Sequence, residues 1–212
     1  VPDSQRSPSP LHEPSRACWW SLSAPELVAY HDTEWGFPVT DDRRLFEKIC
    51  LEGFQAGLSW LTILKRRGGF RKAFADFDFL AVAAFGEKDV LRLVEDPGII
   101  RHRGKIESTI NNAGKAIELI EEFGSLSSYV WKFEPPASTR PEVLTEEALR
   151  KLTTCDEAKR LSKDLKKRGF SFVGPTTMYA FMQGVGLVND HVDTCPTRLA
   201  VEAARKALVL PK

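Results

Sequence analysis

An apolar face that ends on a carboxylate sets the first constraint on this chain. Leu45, Phe46, Ile49 and Cys50 recur at i, i+1, i+4 and i+5, the stripe of a helix buried along one side. That stripe leads directly into Leu51-Glu52-Gly53-Phe54-Gln55-Ala56-Gly57-Leu58-Ser59-Trp60. A carboxylate among Cys50, Leu51, Phe54 and Trp60 is expensive to desolvate unless something pairs with it. Either Glu52 closes an ordinary helix and points to water, or Glu52 and Trp60 wall a pocket for a flat ligand with donors or positive charge. Helical periodicity recurs along the chain and alternating strand patterns are nearly absent, so the predicted fold is all-α, without internal repeats.

The 212 residues suffice for one large domain or two small lobes with a real core. The expected organisation is a Pro- and Ser-rich flexible tail over 1–16, then a single catalytic domain of two helical lobes over 17–212. No apolar run approaches the roughly 18 residues needed to span a bilayer, and the tail lacks the apolar core of a signal peptide. With a net charge of +1, bulk electrostatics does not select nucleic acid, and any such partner must meet a local basic patch. Cys18, Cys50, Cys155 and Cys195, without an export signal, point to a reducing compartment where thiols serve as core residues or ligands. A cytoplasmic monomer is the expectation, nucleoid-associated while on DNA where such a patch is met.

Ser23-Ala24-Pro25-Glu26 reads as an N-cap, early proline and acidic first turn of a helix that ends in Tyr30-His31-Asp32-Thr33-Glu34-Trp35-Gly36-Phe37-Pro38. Thr40-Asp41-Asp42 caps the Glu52 helix. Residues 65–72 form a basic stretch. Phe74 to Phe85 and Glu87 to Val94 read as short helices, and a long helix runs from about Lys105 to Phe123. Glu134 to Val143 holds three prolines and separates the lobes. Thr154 and Glu157 fit a capping box for a helix to Arg168, and Thr197 to Ala207 closes the chain as a helix.

Three constellations carry chemistry. His191 and Cys195 stand at i, i+4, and Cys18 and His31 lie near the other end of the chain. Together they offer two sulfurs and two nitrogens, the donor set of a closed tetrahedral zinc site, although the spacing matches no compact finger and core histidines with buried thiols remain an alternative. An ion held by all four would be structural, because no position is left for a reactive water. Second, Lys159, Arg160, Lys163, Lys166, Lys167 and Arg168 lead into Gly169-Phe170-Ser171-Phe172-Val173-Gly174, and Pro175-Thr176-Thr177 opens a new helix. This resembles a helix–hairpin–helix element, whose outward N–H groups bind DNA phosphate. The alternative is a solvated basic face with an ordinary turn. Lys166, Arg168, Gly169, Phe172, Gly174, Thr176 and Thr177 are the DNA-contact candidates. Third, Tyr30, Trp35 and Trp60 are either core or, with Glu52, a receptor for a purine: faces to stack on and an acceptor for ring N–H groups.

Five stretches bring a family into view: Ala29 to Gly36, Leu51 to Trp60, Gly98 to Ile106, Lys166 to Gly174, and Gly186 to Val192. In order and content the region from Cys18 to Cys195 resembles the DNA-3-methyladenine glycosylase I family of the helix–hairpin–helix superfamily. A small departure is Trp19 after Cys18, where the family often has glycine. The resemblance implies a monofunctional glycosylase that flips 3-methyladenine out of alkylated duplex DNA and releases it by hydrolysis. It implies Glu52 as the catalytic and base-accepting carboxylate, Tyr30, Trp35 and Trp60 around the base, and the Gly57-Leu58 turn filling the gap left in the duplex. It also implies structural zinc on Cys18, His31, His191 and Cys195. Asp190 stands near the place of the superfamily's usual catalytic aspartate and is read as orienting the His191 loop, and no lysine is expected where a Schiff base could form. Other readings are a glycosylase for a different alkylated or deaminated base, a non-catalytic DNA-binding module, or a zinc hydrolase.

Overall fold

The computed structural model describes residues 18–210, so the 1–16 tail lies outside the described residues. Within them the chain is helical and contains no strand. The helices are α1 (Pro25–Thr33), α2 (Asp42–Gln55), α3 (Trp60–Lys65), α4 (Arg67–Ala73), α5 (Phe79–Ala83), α6 (Glu87–Glu95), α7 (Arg103–Phe123), α8 (Leu126–Val130), α9 (Glu146–Lys151), α10 (Asp156–Lys167), α11 (Pro175–Gly184) and α12 (Pro196–Ala207). None is long and apolar enough to cross a membrane.

Helix α2 organises the rest. Asp41 accepts the Arg44 N–H at 2.8 Å to start it. The sequence pattern shows one apolar face, but every residue from Leu45 to Phe54 is buried, because α3, α7, α8 and α11 pack around it. Three charged residues, Glu47, Lys48 and Glu52, are therefore buried too. Phe46, Phe54, Phe70, Phe74 and Phe77 form the aromatic part of the core beside it, with Phe54 and Phe70 centroids 4.6 Å apart. A smaller apolar cluster joins Cys18, Tyr30, Trp35, Leu144, Leu149, Val192 and Cys195, and Trp60 and Leu152 pack against both clusters.

Local departures from the sequence reading have local causes. The Ser23 hydroxyl bonds back to Trp20 O, leaving Ala24 as the N-cap of α1. Thr154 bonds Cys155 O, so the Cys155 thiol receives the Ala158 N–H and caps α10 one residue later. Phe74 to Phe85 is not one helix. Ala75, Asp76 and Phe77 take φ of 50, 53 and 57°, a left-handed turn retained because it buries Phe77 completely. Asp78 then caps α5.

α10 ends in a Schellman arrangement: Gly169 N–H bonds Lys166 O and Phe170 N–H bonds Leu165 O, both at 3.0 Å. Gly169 has φ +90°, which a Cβ would disfavour. The chain then turns through Phe172 and enters α11 at Pro175, with no side-chain cap on the first turn.

Candidate active site

Trp19, Trp20, Tyr30, Trp35 and Trp60 surround a cavity of about 270 Å³ with Glu52, Gln55, Gln183 and Asp190. The rings come from three elements: the turn before α1, α1 with its exit, and the start of α3. Trp20 meets Trp35 edge-on at 4.9 Å, and Tyr30 meets Trp60 at 5.3 Å with a 49° tilt. Glu52 is 5% exposed and its side chain makes no hydrogen bond among the described residues. The Trp60 Nε1 donor is likewise buried without a partner. A desolvated acceptor in a ring-walled cavity suits a flat polar ligand far better than water-free packing.

Burial pushes the Glu52 carboxyl up to about 7, and the positive charge of Lys48 opposes that rise. Lys48 lies one turn earlier on α2 and is 9% exposed. It donates to Tyr30 Oη in a short hydrogen bond and stacks on both Tyr30 and Trp60, 4.3 and 4.6 Å from their ring centroids. Its own value falls to about 8, chiefly through desolvation. Lys48 lines a neighbouring cavity of about 280 Å³, with Arg67 held by Glu34 and Arg71 held by Glu47. The basic stretch at 65–72 thus turns two of its arginines inward to acidic partners.

Next to the ring-lined cavity, Cys18, His31, His191 and Cys195 are all buried, with their ligand atoms within 4.8 Å of one another. Cys195 Sγ lies 3.6 Å from His31 Nε2 and 3.5 Å from His191 Nδ1, and Cys18 Sγ lies 3.8 Å from His191 Nδ1. Tetrahedral bonds of about 2.0–2.3 Å give edges of roughly 3.3–3.8 Å, so the residues fit a metal ion. The remaining ring nitrogens are engaged: His31 Nδ1 with Asp32 at 2.7 Å and His191 Nε2 with Trp35 O at 3.0 Å. The bond from Cys18 and then the two imidazoles hold the Cys195 thiol far below its ordinary range. Trp35 meets His191 edge-on at 4.7 Å and Trp20 meets His31 edge-on at 5.5 Å, so the cluster buttresses the cavity wall.

A further cavity of about 230 Å³ shares Glu52, Gln55 and Ala180 with the ring-lined one and is bounded by Gly57, Leu58, Thr176 and Thr177. Glu52 therefore lies beneath an opening between two turns. One is the 56–58 turn, where Leu58 is 42% exposed; the other is the first turn of α11 at Thr176 and Thr177, which follows the 169–174 turn, where Phe172 is 39% exposed with φ 56°.

Comparison with known proteins resolves the family. A family model described as methyladenine glycosylase matches residues 20–198. The chain belongs to the methyladenine glycosylase family. It is 50% identical over 179 residues to DNA-3-methyladenine glycosylase 1 of Escherichia coli strain K12, 84% of this chain and 94% of that protein. It is 46% identical over 183 residues to a DNA-3-methyladenine glycosylase of Haemophilus influenzae, covering 85% and 97%. Among solved structures it is similar to 3-methyladenine DNA glycosylase I of Staphylococcus aureus, described for its recognition of 3-methyladenine, with a TM-score of 0.80, 36% identity and coverage of 86% and 96%.

In this family member Cys18, His31, His191 and Cys195 converge on a cluster that could hold a metal ion, and Tyr30, Trp35, Glu52 and Trp60 converge on the ring-lined cavity. Gly57, Leu58, Thr176 and Thr177 meet at the opening. Lys166 is exposed, whereas Arg168 is bonded to Glu122 and Asp164. Asp190 lines the cavity but accepts from Arg140, Tyr179 and Gln183. The sequence reading missed Trp20, whose place beside Cys18 was the available signal, and Lys48, whose i−4 spacing from Glu52 put both on one helix face. Lys48 is also a lysine close to the site, although it lines the adjoining cavity.

Proposed function

We propose that this chain is a monofunctional DNA glycosylase of base excision repair, taking 3-methyladenine out of alkylated duplex DNA and hydrolysing its N-glycosidic bond. The single observation that carries this is Glu52, a buried carboxylate without a hydrogen bond in a ring-walled cavity that adjoins an opening between the 56–58 turn and the start of α11. The family membership and the names of the relatives support the same substrate.

The target atom is inside a duplex, so the damaged nucleotide must rotate out. Leu58 enters the gap it leaves, and the N–H groups at Gly174, Thr176 and Thr177 receive phosphate in helix–hairpin–helix fashion, with Gly169 shaping the turn and Lys166 adding charge. Tyr30, Trp35 and Trp60 stack on the extruded purine, whose positive charge adds a cation–π attraction of about 0.5–2 kcal/mol. Glu52 accepts from its N–H groups in a charge-assisted bond. The glycosidic bond breaks with its electron pair going to the base, which leaves as neutral 3-methyladenine. Water adds at C1′ of the sugar and gives up a proton, producing an unbroken abasic strand. Asp190, with its acceptors taken by Arg140, Tyr179 and Gln183, holds the loop that presents His191.

Cys18, His31, His191 and Cys195 would hold a zinc ion whose four positions are all protein, so it ties the segment around α1 to the segment before α12. The two apolar clusters support two lobes meeting at Trp60.

The test is to incubate the protein with methylated duplex DNA and separate the bases set free. Free 3-methyladenine with an intact, alkali-labile strand is expected. Release of a different base, or strand cleavage without alkali, would overturn the assignment. Duplex binding with no base released would favour a non-catalytic module.

A further inference from the structure

The Gly98 to Ile106 stretch stands out in the sequence yet contributes no side chain to the ring-lined cavity. It opens α7, and Lys105 is the third residue of that helix. A lysine there opposes the α7 dipole, and at 7% exposure it is largely desolvated, which holds its amine below its ordinary value. Its partners explain it. Nζ donates to Phe54 O at 2.9 Å and to Ala56 O at 2.6 Å, the carbonyls where α2 ends and the 56–58 turn begins. A cation on those carbonyls satisfies acceptors that the helix leaves open and complements the α2 dipole. The turn itself closes with Leu58 N–H on Gln55 O at 2.7 Å, with Gly57 at φ +79°.

The next two turns of α7 grip the other solvent-facing turn. Asn112 reads both backbone groups of Ser171, accepting its N–H and donating to its carbonyl, each at 3.0 Å. The Ser171 hydroxyl bonds Ser108 at 2.6 Å, and Asn111 donates to Gly169 O at 2.8 Å. The first turns of α7 thus hold, within eight residues, both the 56–58 turn, which bounds the opening above Glu52, and the 169–174 turn, which leads into the α11 residues on its other side.

We propose that Lys105 is a positioning residue for the Leu58 turn, and that the start of α7 fixes the spacing between this turn and the 169–174 turn so that both engage one duplex while a base is extruded. This rests on the glycosylase reading. Neither Lys105 nor Asn112 touches the base cavity, so the spacing governs work on duplex and leaves binding of the free base alone.

The experiment compares wild type, Lys105→Met, Leu58→Ala and the double variant. Two readouts are taken: single-turnover release of 3-methyladenine from methylated duplex, and affinity for free 3-methyladenine by tryptophan fluorescence. Release by Lys105→Met should fall roughly ten- to hundred-fold while free-base affinity stays within about two-fold of wild type. In the Leu58→Ala background the lysine substitution should add little, since no side chain is left to place. Lys105→Gln, which keeps a neutral donor, is used where the Met variant does not fold, with the same pattern expected. Unchanged duplex release, parallel loss of free-base affinity, or full additivity with Leu58→Ala would each overturn the proposal. Wild type releasing no base would instead overturn the glycosylase reading on which it stands.

Discussion

Lys48 and Glu52 stand one turn apart on α2, both buried, with the Lys48 ammonium against the rings of Tyr30 and Trp60 that wall the cavity Glu52 lines. The carboxylate thus has a charge partner but no hydrogen-bond partner, and its acceptor capacity is left for a ligand. Glu52→Gln keeps the shape and loses the charge. A charge-assisted bond is worth about 1.5–3 kcal/mol, so affinity for free 3-methyladenine should fall roughly 10- to 100-fold, with a comparable loss of release from duplex. Fluorescence titration and single-turnover assays check this, and full affinity in the variant would remove Glu52 from base recognition.

The pair also sets a pH dependence. Glu52 titrates near about 7, above its ordinary 4.5, because burial disfavours its charge. It accepts as a carboxylate only above that value, so free-base affinity should hold at alkaline pH and decline as pH falls through about 7. Lys48 supplies the opposing attraction, and Glu34, Glu47 and Arg67 act on the same ammonium. Lys48→Met should therefore move the acid limb of the binding curve upward. Affinity measured across roughly pH 5 to 9 tests it, and an unmoved limb would show that Lys48 does not hold Glu52 ionised.

The sequence carried more of the site than of its surroundings, for a physical reason. His31, Trp60, His191 and Cys195 are rare residue types in dense local patterns, and Glu52 is a charge at the end of an apolar stripe, so their chemistry is legible before their distances are known. Lys48, Lys105 and Asn112 are ordinary residues on helices. Their roles depend on what packs against them, and the contacts of Lys105 and Asn112 lie 49–59 residues away in the chain. The same limit applies to α2, whose pattern shows one apolar face although neighbours bury all of it. The left-handed turn at 75–77 is tertiary override of the same kind, set by the burial of Phe77 rather than by glycine.

Basic residues near the 169–174 turn should divide into two kinds. Lys166 is exposed at the end of α10, whereas the Arg168 guanidinium is bonded to Glu122 and Asp164 and stacks over Phe123 at 5.1 Å. Lys166→Ala should weaken duplex binding about equally across sequences and lower the slope of log affinity on log salt by about 1. Arg168→Ala should instead lower the melting temperature with little change in that slope. Salt titrations of duplex binding beside thermal melts check the division, and a larger slope change for Arg168→Ala would place its guanidinium on phosphate.

The cysteine–histidine cluster makes a different demand, because it supports the cavity without entering it. His191 bonds Trp35 O and meets the Trp35 ring edge-on, while His31 lies against Trp20. Losing an ion from this cluster would leave two buried thiols and two imidazoles unpaired by charge and would loosen the wall that holds both tryptophans. Elemental analysis should find one zinc per chain, and Cys195→Ser should lose it with a fall in melting temperature. Under a strong chelator, excision should decline in step with the folded fraction followed by circular dichroism. Activity vanishing while the fold persists would mean that the ion takes part in the chemistry. An ion enclosed by Cys18, His31, His191 and Cys195 has no open position for a reactive water, so loss of activity is expected to follow loss of the wall.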